Sequence, residues 1–446
     1  MSISPSSLSV IVGLGATGIS CARYLQANGM PFAVVDTRAA PPHLDAFRQL
    51  YPDVEIELGK LDAEILNRAT QIILSPGIAV REPAIAKHIE RGIPVIGDIE
   101  LFVRAVKQPV IAITGTNAKS TVTTLVGEMA TAAGYQAQAG GNLGVPALDL
   151  LVQHPETNLF VLELSSFQLE TTYSLHAAVA TVLNVTPDHM DRYDTLADYQ
   201  AAKLRVYQNC KTAVCNRDDA LTDVAHKPKI YFTLGEPLEQ EFGLRQSGAD
   251  IYLAYGEQLL LPVRELPVAG RHYHANALAA LAIGHGFGFP FEPMLNVLRN
   301  FPGLPHRCQL VRNRRGVKWY NDSKGTNVGA TQAAIEGLGE HISGKLILIA
   351  GGIGKHADFN PLLPAMEKYT RHIVLIGEAA RELADVIDGH IPISFAASMD
   401  EAVQRCDAVA QSGDCVLLSP ACASFDMFKN FEHRGQVFSD VVEKLV

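Results

Sequence analysis

The stretch ITGTNAKST, residues 113–121, follows the apolar run PVIA and precedes VTTLVGEMA, which has the pattern of a helix. A glycine-containing loop between a strand and a helix presents backbone N–H groups and a helix N-terminus to phosphate. Gly115, Lys119 and Ser120 stand where such a loop carries a turn glycine, a lysine for the β- and γ-phosphates and a hydroxyl for Mg²⁺. On these residues alone, the stretch is either a nucleotide-binding loop or an ordinary capped start of a helix.

Two positions differ from the strict phosphate-loop pattern. Ile113 occupies the place of the first glycine, and Ala118 occupies the place of the glycine before Lys119. If the backbone φ angle at Ala118 is negative, alanine fits at small cost, whereas a positive φ strains its Cβ. The assignment of this stretch as a nucleotide-binding loop therefore depends on further evidence from residues elsewhere in the chain.

Acidic and imidazole side chains follow two later apolar runs. Glu163 ends LFVLE, and Asp188, His189 and Asp191 follow TVLNVTP. Taken singly, Glu163 is better explained as a strand-end cap and His189 as an ordinary loop histidine. Together with a phosphate loop they favour a metal–nucleotide site, because such loops have an acidic Mg²⁺ partner at a strand end. Lys203 lies on a plain amphipathic helix, where most lysines are solvated.

The first glycine-rich turn of the chain, GLGATG at residues 13–18, follows a strand pattern and opens a helix, and Asp36 ends the next strand pattern. This is a complete dinucleotide fingerprint, which places backbone N–H groups where a diphosphate can sit. It is compatible with a nicotinamide or flavin cofactor, with another nucleotide, or with a purely structural turn. Thr37 and Arg38 suit NADP and a uridine nucleotide equally well.

Composition limits the class of protein. The chain has 446 residues, of which 48% are hydrophobic and 19% charged, and it contains 36 glycines, as in a compact α/β enzyme of two or three domains. A formal net charge of −10 argues against general nucleic-acid binding. The seven scattered cysteines indicate neither a disulfide framework nor a zinc site. We expect no membrane insertion and a cytoplasmic location, because no apolar run is long enough to span a bilayer and no leader pattern is present.

Three series of alternating strand and helix patterns run along the chain, and each series can build its own sheet. Glycine- and proline-rich connections near Gly97 and Gly303 separate them and predict domains at 1–97, 98–303 and 304–446. In the third series, YNDSKGTNVGA (320–330) and LLSPACASFDMFKNFEHRG (417–435) follow apolar strand patterns. Loops beyond strand ends are where open α/β sheets bind ligands, so both are candidate substrate loops.

A series of motifs covers essentially the whole chain. They are, in order, TGTNAKST (114–121), GGNLG (140–144), ELSSFQLE (163–170), NVTPDHMDRY (184–193), AAKLRVY (201–207), GLPHRCQ (303–309), NDSKGTN (321–327) and SPACASFDMFKNFEHRG (419–435). In this order the chain resembles the Mur ligase family, and its last motif is most similar to that of the members that add D-glutamate.

The resemblance implies an α/β fold of three domains, with a Rossmann-like N-terminal domain, a P-loop ATPase-like central domain and a Rossmann-like C-terminal domain. It implies an ATP-dependent ligase that joins D-glutamate to UDP-N-acetylmuramoyl-L-alanine through an acyl phosphate, in cytoplasmic peptidoglycan precursor synthesis. ATP and two Mg²⁺ ions are the implied cofactors, Lys203 is the lysine that the family carbamylates, and the partners are small-molecule substrates of a monomer.

The resemblance also assigns residues to roles. The implied catalytic residues are Lys119, Asn142, Glu163, His189 and Lys203, and the implied metal ligands are Ser120, Glu163, His189 and Lys203. ATP would contact Gly115, Thr116, Asn117, Ala118, Lys119, Ser120, Thr121, Asn276, Arg307 and Asp322. The UDP-sugar would contact Gly15, Thr17, Thr37, Arg38, Ser75, Gly77 and Asn142, and D-glutamate would contact Thr326, Lys355, Ser424 and Phe431.

Three residues depart from the family pattern. Ala118 replaces a glycine, Tyr273 stands where asparagine is common, and Ile353 stands in place of an aspartate in the loop that carries Lys355. Because Lys119 and the other implied catalytic residues are intact, we expect an active ligase with a tolerated alanine. The alternatives are a ligase for a different amino acid, a folylpolyglutamate-synthase-like relative, an NAD(P)-dependent dehydrogenase, and a nucleotide-binding regulatory protein without turnover.

Overall fold

The computed structural model describes residues 7–225, 228–268 and 270–445, and these form three sheets that follow one another along the chain. Each sheet corresponds to one of the three predicted strand–helix series. The predicted α/β architecture is therefore confirmed. The serine-rich first six residues lie outside the described part.

The first sheet has five parallel strands in the order β3-β2-β1-β4-β5. Its elements are β1 (Ser9–Val12), α1 (Ala16–Ala27), β2 (Phe32–Asp36), α2 (Leu44–Leu50), β3 (Ile56–Leu58), α3 (Glu64–Asn67), β4 (Gln71–Leu74), α4 (Pro83–Glu90) and β5 (Val95–Ile96). The first turn of α1 needs glycine, because a Cβ at Gly18 would lie 2.0 Å from the carbonyl oxygen of Gly13. The fingerprint thus closes the first strand tightly against its helix.

The second sheet has nine strands in the order β14-β13-β12-β11-β10-β9-β6-β8-β7. Its strands are β6 (Val110–Thr114), β7 (Ala137–Gly141), β8 (Leu159–Glu163), β9 (Val179–Val182), β10 (Thr212–Asn216), β11 (Lys229–Phe232), β12 (Phe242–Ser247), β13 (Asp250–Tyr255) and β14 (Gln258–Pro262). Its helices are α5 (Asp98–Ala105), α6 (Lys119–Ala132), α7 (Ala147–Gln153), α8 (Ser166–Glu170), α9 (Leu196–Leu204), α10 (Arg271–Phe287) and α11 (Phe291–Asn300). Sequence patterns did not predict β12 to β14, which extend the sheet; β12–β13 and β13–β14 pair antiparallel.

The third sheet has six strands in the order β15-β16-β20-β17-β18-β19, and only the edge pair β15–β16 is antiparallel. Its strands are β15 (Gln309–Arg314), β16 (Val317–Asn321), β17 (Leu346–Gly351), β18 (Thr370–Ile376), β19 (Ile393–Phe395) and β20 (Cys415–Leu418). Its helices are α12 (Val328–Gly339), α13 (Leu363–Tyr369), α14 (Ala380–Ile387), α15 (Met399–Val409) and α16 (Phe431–Glu443).

The pairing of the central strands decides where the polar motifs meet. β6 lies between β8 and β9, with Ile113 opposite Glu163 and Thr114 opposite Val182. Because the three strands are parallel, their carboxyl ends lie at one edge of the sheet. This edge brings the ITGTNAKST loop beside Glu163 and beside the segment that carries His189.

Side-chain hydrogen bonds also connect the elements around the first sheet to those around the second. Arg23 Nε on α1 donates to Asp149 Oδ1 on α7 at 3.0 Å, and Arg192 Nη1 donates to the carbonyl oxygen of Pro76 at 2.7 Å. Arg192 also packs its guanidinium 4.2 Å from the centre of the Phe167 ring. Within the described residues, no helix combines the length and apolar character needed to cross a membrane.

Candidate active site

The ITGTNAKST loop leads directly from β6 into α6, as its sequence predicts. Lys119, the first residue of α6, is folded back so that Nζ donates to the carbonyl oxygens of Gly115 at 2.9 Å and Thr116 at 2.8 Å. Burial lowers the pKa of Lys119, although Glu163 and Asp188 act in the opposite direction. Ser120 Oγ accepts a hydrogen bond from Arg307 Nη2 at 2.6 Å, so an arginine from the third series of elements already reaches this loop.

The backbone at Ala118 resolves the alternative that the sequence left open. Ala118 caps α6 with φ +68° and ψ −10°, which is the left-handed conformation. A residue with a Cβ costs about 1 kcal/mol or more in this conformation relative to glycine. The alanine is accommodated in the fold, but it is strained.

Replacing Ala118 with glycine should therefore not destabilise the protein. We expect Ala118→Gly to change the free energy of unfolding by between 0 and about +1 kcal/mol, because relief of strain is partly offset by the greater entropy of glycine in the unfolded chain. The matched control, Ala201→Gly on the exposed face of α9, should lower the free energy of unfolding by about 1 kcal/mol. Thermal melting followed by circular dichroism measures both, and equal losses would contradict a positive φ at Ala118.

Glu163 ends β8 with a buried carboxylate that is only half satisfied. Oε1 accepts from Asn142 Nδ2 at 2.6 Å, whereas Oε2 is buried without a hydrogen-bond partner. The backbone N–H of Asn142 also donates to the carbonyl oxygen of Glu163 at 2.9 Å, which fixes the two residues relative to each other. A buried carboxylate oxygen without a partner is costly unless something binds it. Glu163 therefore has the environment of a cation ligand.

Lys203 is not on a solvated face, although its amphipathic helix suggests that it is. Its side chain is 1% exposed, and Nζ donates to the carbonyl oxygen of Gly115 at 2.8 Å. The ammonium also lies 4.3 Å from the centre of the Tyr199 ring. Burial and then the neighbouring Lys119 lower the pKa of Lys203 well below its ordinary value. The helical pattern could not reveal this, because it does not show that α9 packs against α8 or that Lys203 reaches the phosphate loop.

Of the three side chains predicted for the site in the segment after β9, two lie at the site. His189 has φ +58° and places its ring 4.9 Å from that of Phe167, and burial lowers the pKa of the imidazole. Asp188 lies beside it, with Oδ2 3.7 Å from His189 Nε2. Asp191 is exposed and does not line the cavity described next. The prediction that Asp191 belongs to this site is therefore not supported.

Two adjoining cavities meet at the phosphate loop. The first, of about 300 Å³, is lined by the ATP candidates Asn117, Ala118, Thr121, Asn276, Arg307 and Asp322. The second, of about 270 Å³, brings together the predicted catalytic residues Lys119, Asn142, Glu163, His189 and Lys203. Thr326 and Lys355 from the third series line the second cavity as well. Residues distant in sequence thus line two cavities that share Asn117, Ala118, Arg307 and Lys324.

The first cavity contains a strongly desolvated charged pair. Arg307 is half-buried and its desolvation lowers its pKa, whereas burial raises the pKa of Asp322 to about 6. Asp322 accepts from the hydroxyl of Ser419 at 2.7 Å and from the N–H of Cys308 at 3.1 Å. Tyr273, one of the departures from the family pattern, is buried in the wall with its ring stacked on Phe301.

The four residues predicted for D-glutamate do not all reach the same space. Thr326 and Lys355 line the second cavity, whereas Ser424 and Phe431 line neither cavity. Phe431 lies behind Lys324, whose Nζ is 3.8 Å from the ring centre. Lys324 lines both cavities, and burial lowers its pKa to about 8. The predicted set missed Lys324, although it stands in the NDSKGTN motif.

Ile353 pairs its backbone with the loop that carries Ser424. Its N–H donates to the carbonyl oxygen of Ala423 at 3.0 Å, and the N–H of Ala423 donates back at 3.0 Å. This pairing uses only main-chain atoms. The replacement of aspartate by isoleucine therefore leaves the connection between the two loops intact.

The UDP candidates form an open rim at the edge of the first sheet. Ser75 Oγ donates to the carbonyl oxygen of Gly13 at 3.1 Å, next to Gly15, Thr17 and Gly77. Asp36 Oδ2 accepts from the N–H of Leu14 at 2.7 Å and from Arg38 Nη2 at 2.7 Å, while Thr37 is exposed. A dinucleotide fingerprint uses this acidic residue to accept from a ribose hydroxyl. Here the Asp36 carboxylate already accepts hydrogen bonds from Leu14 and Arg38 of the same chain.

Three protein-family models together match most of the chain. Residues 7–97 match the family "Mur ligase MurD-like, N-terminal domain", residues 113–284 match "Mur ligase middle domain", and residues 306–422 match "Mur ligase, glutamate ligase domain". These segments correspond to the three sheets.

Full-length relatives are similar at high identity. UDP-N-acetylmuramoylalanine–D-glutamate ligase of Pseudomonas putida is 54% identical over 433 residues, which is 96% of each chain. The ligases of the same name from Pseudomonas aeruginosa and Nitrosococcus oceani are each 53% identical, over 98% of this chain and 98% and 97% of theirs.

Solved structures of lower identity share the fold. A pseudomurein peptide ligase type C from Methanothermus fervidus superposes with a TM-score of 0.63 at 16% identity, covering 98% of this chain and 99% of its own. The UDP-N-acetylmuramate-alanine ligase MurC of Thermotoga maritima superposes with a TM-score of 0.61 at 17% identity, with the same coverage.

Proposed function

Because this chain belongs to the Mur ligase family, we propose that it joins D-glutamate to UDP-N-acetylmuramoyl-L-alanine at the expense of ATP. Relatives that carry this activity in their name are 52–54% identical over nearly their whole length. The structural observation that carries the proposal is the meeting of two cavities at the phosphate loop, one suited to ATP and one lined by buried lysines and Glu163. In this proposal the reaction serves peptidoglycan precursor synthesis. We assign it to a monomeric enzyme in the cytoplasm, because the proposed substrates are soluble nucleotides and an amino acid.

We assign one substrate to each domain. Residues 1–97 bind the UDP-sugar at Gly15, Thr17, Thr37, Arg38, Ser75 and Gly77, and residues 98–303 bind the ATP phosphates. Residues 304–446 bind D-glutamate through Thr326, Lys355, Ser424 and Phe431. Since Ser424 and Phe431 line neither cavity, we assign them to a part of the glutamate site that lies beyond the two cavities.

The residues present fit Mg²⁺. The partnerless Oε2 of Glu163 and the hydroxyl of Ser120 are hard oxygen ligands beside the loop that holds the phosphates, and Mg²⁺ is commonly held by one or two carboxylates together with substrate phosphates and water. Ser120 and Glu163 would hold one ion, and His189 with modified Lys203 a second. When bound, Mg²⁺ neutralises phosphate charge as two anionic substrates approach.

The chain's own groups can guide the chemistry. A carboxylate oxygen of the L-alanine unit attacks the γ-phosphorus of ATP, the bond to ADP breaks, and an acyl phosphate forms. Lys119 turns from the carbonyls of Gly115 and Thr116 to the phosphate oxygens and stabilises the developing charge. The amine of D-glutamate then attacks the acyl carbon and loses a proton, and phosphate leaves with the C–O bonding electrons. Asn142 holds Glu163 in place throughout.

Lys203 is suited to carbamylation. Its amine is buried beside Lys119, and burial lowers its pKa, which favours the neutral form that reacts with CO₂. A carbamate would also replace the repulsion between two ammonium groups by attraction. Equilibration with ¹³C-bicarbonate should give the wild-type protein a carbamate carbonyl signal in ¹³C NMR that Lys203→Arg lacks. A signal that survives in Lys203→Arg would assign the modification to another site.

Lys355 should bind a carboxylate of D-glutamate. Its Nζ lies 3.5 Å from Asp188 Oδ1 at the wall of the second cavity, where a substrate carboxylate can take the place of Asp188. We expect Lys355→Ala to raise the KM for D-glutamate by about 10- to 100-fold, since charge-assisted bonds contribute about 1.5–3 kcal/mol, while the KM for ATP changes less than threefold. Lys444→Ala, which removes an exposed lysine of the same domain outside both candidate substrate loops, is the control. Equal increases in both KM values would argue against the assignment.

Phosphate release tests the proposed function directly. Wild-type protein with ATP, Mg²⁺ and UDP-N-acetylmuramoyl-L-alanine should release phosphate with D-glutamate, but not with L-glutamate, L-lysine or diaminopimelate. Release with another amino acid would show a ligase of different specificity. Binding of ATP without any release would favour the regulatory alternative, and a cofactor titration with NADP would reveal a dehydrogenase.

A further inference from the structure

Asn327, which none of the predicted roles includes, joins the third domain to the phosphate loop. It is the N-cap residue of α12, follows Thr326, and is 7% exposed. Its Nδ2 donates to Asn117 Oδ1 at 3.0 Å and to Asp188 Oδ2 at 3.1 Å. Its Oδ1 accepts from the N–H of Ala330 at 2.9 Å and from Asn117 Nδ2 at 3.3 Å. The carboxamide thus uses both hydrogens and both acceptor positions, three times toward the central domain and once toward its own helix.

These contacts require an asparagine. An N-cap needs only a short side-chain acceptor, so serine and aspartate would cap α12 about as well. Serine is too short to reach Asn117, and aspartate has no hydrogen to donate and would place its charge against Asp188. The helix cap by itself therefore does not explain the side chain at position 327.

The partner residues are themselves held by the central domain. The N–H of Asn117 donates to Asn184 Oδ1 at 2.8 Å, and Asn184 Nδ2 donates to the carbonyl oxygen of Asn117 at 3.3 Å. Asp188 contacts Lys355 as well as Asn327. A continuous set of hydrogen bonds therefore runs from the end of β9, through the phosphate loop, to the residue after Thr326.

We propose that Asn327 is a positioning residue that holds the D-glutamate domain in register with the phosphate loop. The inference rests on the proposed function, because it assigns Thr326 and Lys355 to the attacking amino acid. Through Asn117, the position of this domain is tied to the phosphate loop. Asn327 touches no reacting atom; it sets where the amine lies relative to the acyl phosphate.

Two variants separate this role from helix capping. Asn327→Ser and Asn327→Asp both keep a good cap, so a purely structural role predicts wild-type kinetics for both. We expect Asn327→Ser to raise the KM for D-glutamate about 10- to 100-fold through loss of two or three hydrogen bonds, and Asn327→Asp to be impaired further by repulsion from Asp188. The dissociation constant of ATP, measured by equilibrium binding without the other substrates, should change less than threefold.

A cap exchange elsewhere provides the matched control. Ser398 caps α15, is exposed, and makes its hydrogen bond to the N–H of Glu401 only within that helix. Ser398→Asn should leave both KM values and the melting temperature unchanged. Asn327→Ser should show a melting temperature within the same range, because α12 keeps its cap. Wild-type KM values in both Asn327 variants would overturn the proposal.

Small-angle X-ray scattering gives a readout that does not depend on turnover. With a non-hydrolysable ATP analogue and Mg²⁺ present, Asn327→Asp should have a larger radius of gyration than the wild type, because it loses the hydrogen bond that Asn327 donates to Asn117 and is repelled by Asp188. Equal radii of gyration would overturn the proposal. A wild-type protein that releases no phosphate would instead contradict the proposed ligase function, while the scattering comparison would still decide the role of Asn327.

Discussion

Lys119→Met is expected to lower kcat by about 10³-fold or more without destabilising the protein. Preorganised cationic donors at a transferring phosphoryl group commonly contribute this much, because they stabilise charge that develops in a site from which water is excluded. Methionine has a similar length and fills the same space, but it cannot donate to phosphate. Phosphate release under saturating substrates measures the effect.

Lys119→Met should leave the melting temperature unchanged or raise it. Burial lowers the pKa of Lys119, which means that the folded state disfavours its charged form. Lys119 and Lys203 also converge on the carbonyl oxygen of Gly115, so removal of one cation relieves repulsion. Lys107→Met, at an exposed lysine before β6, is the control and should change neither activity nor stability. A Lys119→Met enzyme within tenfold of the wild-type rate would contradict the assigned role of Lys119.

Arg434→Met is expected to destabilise the third domain by about 3 kcal/mol. Arg434 is 1% exposed and holds two candidate substrate loops together. Its Nε donates to Ser323 Oγ at 2.9 Å, Nη2 to the carbonyl oxygen of Ser323 at 2.7 Å, and Nη1 to that of Cys422 at 3.1 Å. Methionine relieves the cost of burying a charge, but it leaves these acceptors without donors, and each buried unsatisfied group costs about 1–3 kcal/mol.

The single tryptophan of the chain reports on this domain. Trp319 is fully buried in β16 and lies 6.4 Å, ring centre to ring centre, from Phe438 on the helix that carries Arg434. Urea unfolding followed by tryptophan fluorescence should therefore show a lower midpoint for Arg434→Met. Arg381→Met, at an exposed arginine on α14, should keep the wild-type midpoint. An unchanged midpoint in Arg434→Met would mean that the two loops are held by other contacts.

Much of the nucleotide site was predictable because its parts are short and continuous in sequence. A β-rich run followed by a glycine-containing turn and a helix pattern defines the loop before Lys119, and Glu163 is recognisable as an acidic residue that ends a buried strand. The order of parallel strands then places both at one sheet edge. The resemblance to Mur ligases added the proposed roles of Lys203 and Lys355, which no local pattern indicates.

The sequence by itself determined the three strand–helix series, the two glycine-rich turns and the family, because each depends on neighbouring residues or on the order of motifs along the chain. Only the tertiary structure decided the left-handed backbone of Ala118, the burial of Lys203, the exposure of Asp191 and the contacts of Asn327. The physical reason is that burial and charge pairing depend on the residues that packing brings near. Asn327 and Asn117 are 210 positions apart in the chain, and no periodicity in the sequence records that their side chains meet.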